Sequence, residues 1–295
     1  MTSTIFLHVE DALPDLARRP FPVIEEGSAI LVAGTVLDIP RREVLPIVRL
    51  TEDGTTFSLT EGERGHRVFS GYSLIRRILH TDPEEWYRLL FEPCENASMT
   101  MRSIPGEALM LTKVLETFSQ EKFGWALIDR EGALPAVMGL ADLIPLYRTG
   151  VLQTELTLRE IATPEIFSLP GSTTIEAALR EMMKRRVRRV RLSKSGDFVS
   201  DREILVHIFS PDVLNAVRTA PHKLLDSTLE EVEPRTPLQV DPATTVEDLA
   251  GQFHPASGAW SALCGEGLVT PWDLIMKPWD LGQLRVGGVL RVPPG

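Results

Sequence analysis

The chain has 295 residues, 43% hydrophobic and 24% charged, a length and balance that suit a globular protein of about two domains. Its formal net charge of −10 argues against a general nucleic-acid binder, which needs a basic surface to neutralise phosphate. Apolar runs such as the one from Ser28 fall short of the roughly 20 residues that span a bilayer, which predicts no membrane segment.

The N-terminal stretch has neither a basic start nor a small-residue cleavage site, so it does not read as a signal peptide. Cys94 and Cys264 lie far apart in no C-x-x-C arrangement, which fits a reduced, cytoplasmic compartment.

The first predicted elements are the apolar stretch around Ser28 and a strand over Val44 to Val48. A polar hairpin follows from Thr51 to Arg67, then an apolar phrase from Val68 to Ile75. Next, Pro105-Gly106 opens a helical segment, and residues 124–137 read as two strands around a turn. Beyond residue 157, Thr173-x-x-Glu176 reads as a capping box. Ile175, Ala178, Leu179, Met182 and Met183 recur at helical spacing behind it. Val187 to Leu192 then alternates apolar and basic residues, as a strand with one wet face does, and Phe198-Val199 returns beside it. The last quarter repeats that order, with Thr244-x-x-Glu247 at the helix start and a hairpin around Gly265-Glu266-Gly267. The Gly- and Pro-rich tail after Leu284 either adds an edge strand or is loose.

One phrase closes each quarter: apolar strand, small polar residue, two variable residues, second polar residue, apolar helix. The polar pairs are Ser70 with Ser73, Gly139 with Asp142, Ser200 with Glu203, and Thr270 with Asp273. Recurrence every 60 to 70 residues or so marks duplicated units. Each has the order strand, helix, strand, strand, helix and is too small to stand comfortably alone, so neighbours are expected to pair. A hydroxyl and a carboxylate three residues apart, where a strand becomes a helix, can grip a sugar phosphate. They can equally cap the helix.

These four phrases, the Thr-Thr-Ile-Glu and Thr-Thr-Val-Glu helix starts and the strand at Val44 to Val48 make the chain resemble the CBS-domain family, as four motifs in two tandem pairs (Bateman modules). The resemblance implies an α+β fold of β-α-β-β-α motifs packed sheet to sheet, with motifs over residues 16–92, 93–152, 157–217 and 224–283. It also implies clefts for AMP, ADP, ATP or S-adenosylmethionine, with no cofactor required. In that family the Asp of the phrase holds the ribose hydroxyls and the Ser or Thr reaches the ribose or phosphate. Thr270 and Asp273 carry the full pattern. Asp142 keeps the acid beside Gly139, Ser200 keeps the hydroxyl beside Glu203, and the first copy keeps only Ser70, with Ser73 in place of the acid.

The run from Lys184 to Arg191 holds six cations in eight residues, and Arg189 stands where the family places phosphate-contacting cations. As a solvated face, Arg185, Arg186, Arg188 and Arg189 would instead find acids nearby. Trp260 is either a base-stacking group or an interface residue. The histidines show no metal-ligand spacing and no nucleophile or phosphate-loop motif is present. The expected function is therefore that of a cytoplasmic, non-enzymatic sensor of an adenosine-type ligand. Its output would pass to a partner protein or a homodimer. The rivals are a scaffold that binds no ligand and a nucleic-acid-linked regulator using the basic run.

Overall fold

The computed structural model describes Val9, Leu13 and residues 21–37, 44–50, 57–130, 134–253, 261–287 and 289–290. Trp260 lies outside these residues. Four units of one topology follow one another. The first has β1 (Ile24–Glu25), α1 (Ile30–Leu37), β2 (Val44–Leu50), β3 (Gly65–Ser70) and α2 (Gly71–Leu79). The strand Ser98–Met101, β4, adds to the free side of β3.

The second unit has β5 (Ser103–Pro105), α3 (Leu111–Glu121), β6 (Trp125–Asp129), β7 (Ala136–Gly139), α4 (Leu140–Leu143) and α5 (Pro145–Arg148). The third has β8 (Ser168–Leu169), α6 (Ile175–Arg185), β9 (Arg189–Leu192), β10 (Phe198–Ser200) and α7 (Asp201–Ile208). The fourth has β11 (Leu238–Val240), α8 (Val246–Gln252), β12 (Ala262–Cys264), β13 (Gly267–Val269) and α9 (Pro271–Asp280). In every unit the second strand is central, parallel to the first and antiparallel to the third. This is an α+β fold.

Alternation along the strands decides what each sheet face meets. One face packs on helices: Leu45, Phe69, Val190 and Val199 join a core shared by the first and third units, and Ala126, Met138, Ala262 and Val269 join one shared by the second and fourth. The helices therefore bind the two halves of the chain together. The approach is close at Gly34 of α1, where an added Cβ would lie 2.1 Å from the Phe209 ring.

The opposite faces differ between the pairs. In the first pair Val44 and Val68 meet Trp125, Leu127 and Val137 in a third apolar cluster. Phe123 stacks on Trp125 at 4.8 Å beside it. In the second pair the matching register positions are Arg189, Arg191 and Phe198 on one sheet and Ser261, Leu263 and Leu268 on the other.

The caps of α6 and α8 fall one residue later than the sequence suggests. Thr174 accepts from Ala177 N–H at 3.3 Å, and Thr245 from Asp248 N–H at 3.1 Å. Glu176 is thereby freed to pair with Arg180 at 2.7 Å, and Glu247 accepts from Thr154 N–H at 3.2 Å. The tail takes its edge-strand form: Arg285–Val286 pairs antiparallel with Leu152–Gln153. Cys94 and Cys264 are free, buried thiols. Burial pushes Cys94 up to about 12, far from the thiolate that redox or nucleophilic chemistry needs.

Candidate functional site

Each phrase forms the turn from the third strand into a helix, and in all four the second polar residue reaches back to the first residue's N–H. Asp273 Oδ2 accepts from Thr270 N–H at 2.9 Å and from its hydroxyl at 2.7 Å. Asp142 accepts from Gly139 N–H at 2.8 Å. Glu203 accepts from Ser200 N–H at 3.0 Å and from its hydroxyl. Ser73 accepts from Ser70 N–H at 3.0 Å, and Ser70 Oγ in return accepts from Ser73 N–H at 3.1 Å. The helix-capping role is thus present in every copy.

What separates the copies is a fifth position that comes from outside the unit. The segment entering the third unit bridges antiparallel to β13 at Thr163 and Leu268, and the segment entering the fourth bridges β10 at Arg235 and Phe198. In the first pair, β4 sets Met99 opposite Val68 in the same register. Thr163, Arg235 and Met99 are therefore equivalent, each beside the polar pair of another unit's phrase.

Their chemistry grades the sites. Thr163 donates its hydroxyl to Asp273 Oδ1 at 3.0 Å. Arg235 lies 3.6 Å from Glu203 Oε1, a cation where the fourth unit has a neutral hydroxyl. Met99 Sδ sits 3.7 Å from Ser70 Oγ, so the first copy has neither acid nor charge at this point.

Asp273 is 4% exposed. Burial raises its carboxyl above the ordinary value, outweighing the Thr270 hydroxyl, the Thr270 N–H, the Thr163 hydroxyl and Lys277, which all favour the charged form. Capping alone does not call for this burial. The same Thr-to-Glu motif recurs at Thr157–Glu160 and Thr228–Glu231 with exposed pairs, and there backbone hydrogen bonding lowers both carboxyls.

The basic run does not form one patch. Lys184 and Arg185 pair with Glu181 on α6 at 3.6 and 3.1 Å, and Arg185 also stacks over Phe167 at 4.3 Å. Arg188 grips Asp201 with two nitrogens at 2.8 and 3.3 Å. Arg189 lies half-buried on the sheet face away from the shared helical core, opposite Ser200. Thr163 and Arg235 were not legible as site residues, because neither belongs to the repeated phrase or to the basic run. Among the described residues no cluster of His, Cys, Asp and Glu could hold a metal ion, and no helix is long and apolar enough to cross a membrane.

Residues 158–208 match the CBS domain model. No curated protein matches the chain. Protein MJ1225 from Methanocaldococcus jannaschii, a proposed archaeal homologue of g-AMPK, is 12% identical, covers 92% of this chain and 99% of its own, and superposes with a TM-score of 0.73. An uncharacterised conserved protein of Pyrococcus horikoshii is 14% identical over 80% of this chain and 91% of its own, with a TM-score of 0.45. CBSX2 in complex with AMP is 18% identical over 42% of this chain and 97% of its own, with a TM-score of 0.32. The third unit thus carries the CBS domain match, and its topology recurs in the other three.

Proposed function

We propose that the chain is a regulatory sensor that holds an adenosine-type ligand in its second pair, with Asp273 and Thr270 gripping the ribose and Thr163 completing the site. The observation that carries this reading is the Asp273 carboxylate. It is buried against the preference of its charge and joined by a hydroxyl 110 residues away in sequence. Helix capping needs only the local half of that arrangement. A carboxylate accepting vicinal hydroxyls makes charge-assisted bonds, which suits a ribose.

Gly139 and Asp142, and Ser200 and Glu203, are the lesser candidates, with Arg189 beside the latter as a phosphate contact. Domain limits near residues 16–92, 93–152, 157–217 and 224–283 fit this reading, each phrase closing one motif. A ligand shared by two motifs would favour one relative arrangement of the pair, to the extent that it binds that arrangement more tightly. A partner protein or a second copy of the chain would read it. The proposed role is regulatory and not catalytic, in a cytoplasmic setting that the two free thiols fit.

A scaffolding role is favoured for the first pair by its apolar seam and by Ser73 and Met99 at the place of the acid and its partner. The nucleic-acid reading loses ground because the basic run is spread over separate ion pairs. Thermal unfolding with AMP, ADP, ATP and S-adenosylmethionine tests the proposal. At 100 times Kd a ligand adds about 2.7 kcal/mol, enough to raise Tm by several degrees. No shift with any of the four, in wild type, would defeat it.

A further inference from the structure

The helices that carry Asp142 and Asp273 belong to different pairs but to one core, where Leu143, Leu146 and Tyr147 lie with Leu274 and Ile275. On the side of the second unit, α4 runs into α5 as one helical path. Ile144 between them keeps helical dihedrals of φ −56° and ψ −42° although Pro145 follows, so Tyr147 stands on the turn after Asp142. On the side of the fourth unit, Leu274 directly follows Asp273.

One hydrogen bond joins the two. The Tyr147 hydroxyl donates to the Leu274 carbonyl at 2.6 Å, and Pro278 has no N–H to offer that carbonyl. Burial, with the Glu247 charge behind it, raises the Tyr147 hydroxyl above its ordinary value, which keeps it a donor. A second, exposed tie from the second unit reaches the far end of α9, where Ser119 donates to Asp280 Oδ1 at 3.2 Å. The first and third units are linked differently. Their bond, Arg180 Nη2 to the Leu79 carbonyl at 3.3 Å, falls at the C-terminal end of α2, away from the Ser70 turn.

The place of the Tyr147 bond matters because the Asp273 turn has little slack. Thr163 donates to Asp273 at 3.0 Å, and a slip of about 0.5 Å in the first turn of α9 would take that bond out of range. We infer that Tyr147 is a positioning residue that couples the two pairs, passing order at the Asp142 turn to the Asp273 turn and back. The two states are α9 held with the Tyr147–Leu274 bond made and α9 loosened with it broken. A group bound at either turn favours the held state, and raises affinity at the other turn by the same factor in both directions. The ligand half of this inference rests on the proposed function; the mechanical half stands without it.

The test is amide hydrogen exchange on the ligand-free full chain, in wild type, Tyr147→Phe, Asp142→Ala and the double variant. It is read in α9 and, as a control from the other core, in α7. Tyr147→Phe and Asp142→Ala should each speed exchange in α9 by about threefold or more beyond any change in α7, and the double variant should be no faster than Tyr147→Phe. Exchange in α9 that ignores Asp142→Ala, or answers it equally with Phe at position 147, would overturn the link. So would equal acceleration in α7, the mark of a merely structural loss. Should Asp142→Ala not fold, Asp142→Asn, a weaker acceptor for the Gly139 N–H, makes the same comparison. Calorimetry with ATP then reads the ligand half: Tyr147→Phe should bind about three- to tenfold more weakly than wild type. Unchanged ATP affinity in Tyr147→Phe, beside a loss in Asp273→Asn, would overturn the positioning role. If no adenosine compound binds wild type, the sensor reading fails and the exchange result alone decides the link.

Discussion

The hydroxyl of Thr163 donates to Asp273 Oδ1 at 3.0 Å across 110 residues of sequence. Two units of the second pair thereby meet on one carboxylate, and the first prediction concerns its charge. Asp273→Asn keeps the shape, its amide NH2 donating to the Thr163 hydroxyl that Asp273 now accepts from, but loses the charged acceptor. It should weaken binding of an adenosine ligand by roughly 10- to 100-fold, the worth of about 1.5–3 kcal/mol for a charge-assisted bond. Titration calorimetry on both proteins measures this.

The same substitution has a pH signature. Burial raises the Asp273 carboxyl above its ordinary value, so the folded protein holds this proton more tightly than the unfolded chain does. Stability from that preference is complete below the unfolded value of about 3.9 and is lost as pH rises through the folded value. Asn has no such loss. Asp273→Asn is therefore expected to be at least as stable as wild type near pH 7, with its relative advantage shrinking towards pH 4. Denaturant melts at both pH values check the sign, and a variant that gains on acidification would contradict it.

A second relationship lies one residue further along α9. Leu274 would normally accept from the N–H four residues on, but that residue is Pro278, which has none. The buried Tyr147 hydroxyl donates to the Leu274 carbonyl at 2.6 Å instead, tying the second unit to the helix that carries Asp273. Tyr147→Phe leaves that carbonyl unpaired and should cost about 1–3 kcal/mol. Pro278→Ala restores a donor, so the double variant should lose less than Tyr147→Phe alone relative to its own parent. A double-mutant cycle by urea melts reads this coupling; strict additivity would contradict it.

Close packing between the halves gives a third prediction. Gly34 admits Phe209 where a methyl group would stand 2.1 Å from the ring. Glycine costs helix stability relative to alanine, so Gly34→Ala would stabilise an isolated α1. In the folded chain the clash should dominate, with a net loss of about 1–3 kcal/mol, measurable as a lowered urea midpoint.

The seam of the first pair gives a fourth. Trp125 is 5% exposed in the apolar cluster between the first two sheets and stacks on Phe123. Trp125→Ala should destabilise by about 3–5 kcal/mol, yet leave the affinity of the second pair for ligand within about twofold in the folded fraction. A matched loss of affinity would place the ligand in the first pair.

Much of the fold was legible because each unit repeats the same alternation and the same polar pair. Thr270 with Asp273 marks the strand-to-helix turn in the sequence as clearly as in space. The capping threonines were misplaced by one, since two consecutive threonines offer two cap positions and only helix geometry chooses Thr174 and Thr245. Thr163, Arg235 and Met99 were invisible for a different reason. Their register is fixed by bridges to distant strands, and no local pattern distinguishes a bridging residue from an ordinary linker. The basic run looked like one patch because sequence neighbours on a helix and then a strand point in different directions. Structure sends Arg185 to Phe167 and Arg188 to Asp201, and leaves Arg189 and Arg191 half-buried on the sheet face away from the shared core.

The most direct measurement is the affinity of ATP for wild type and for Asp273→Asn, determined by calorimetry under one buffer and salt. Saturable binding to wild type and a loss of at least tenfold in the variant, with its melting temperature kept, is the predicted result. Equal affinity in the two proteins, or none in wild type for any adenosine compound, would contradict the assignment of Asp273 to a ribose.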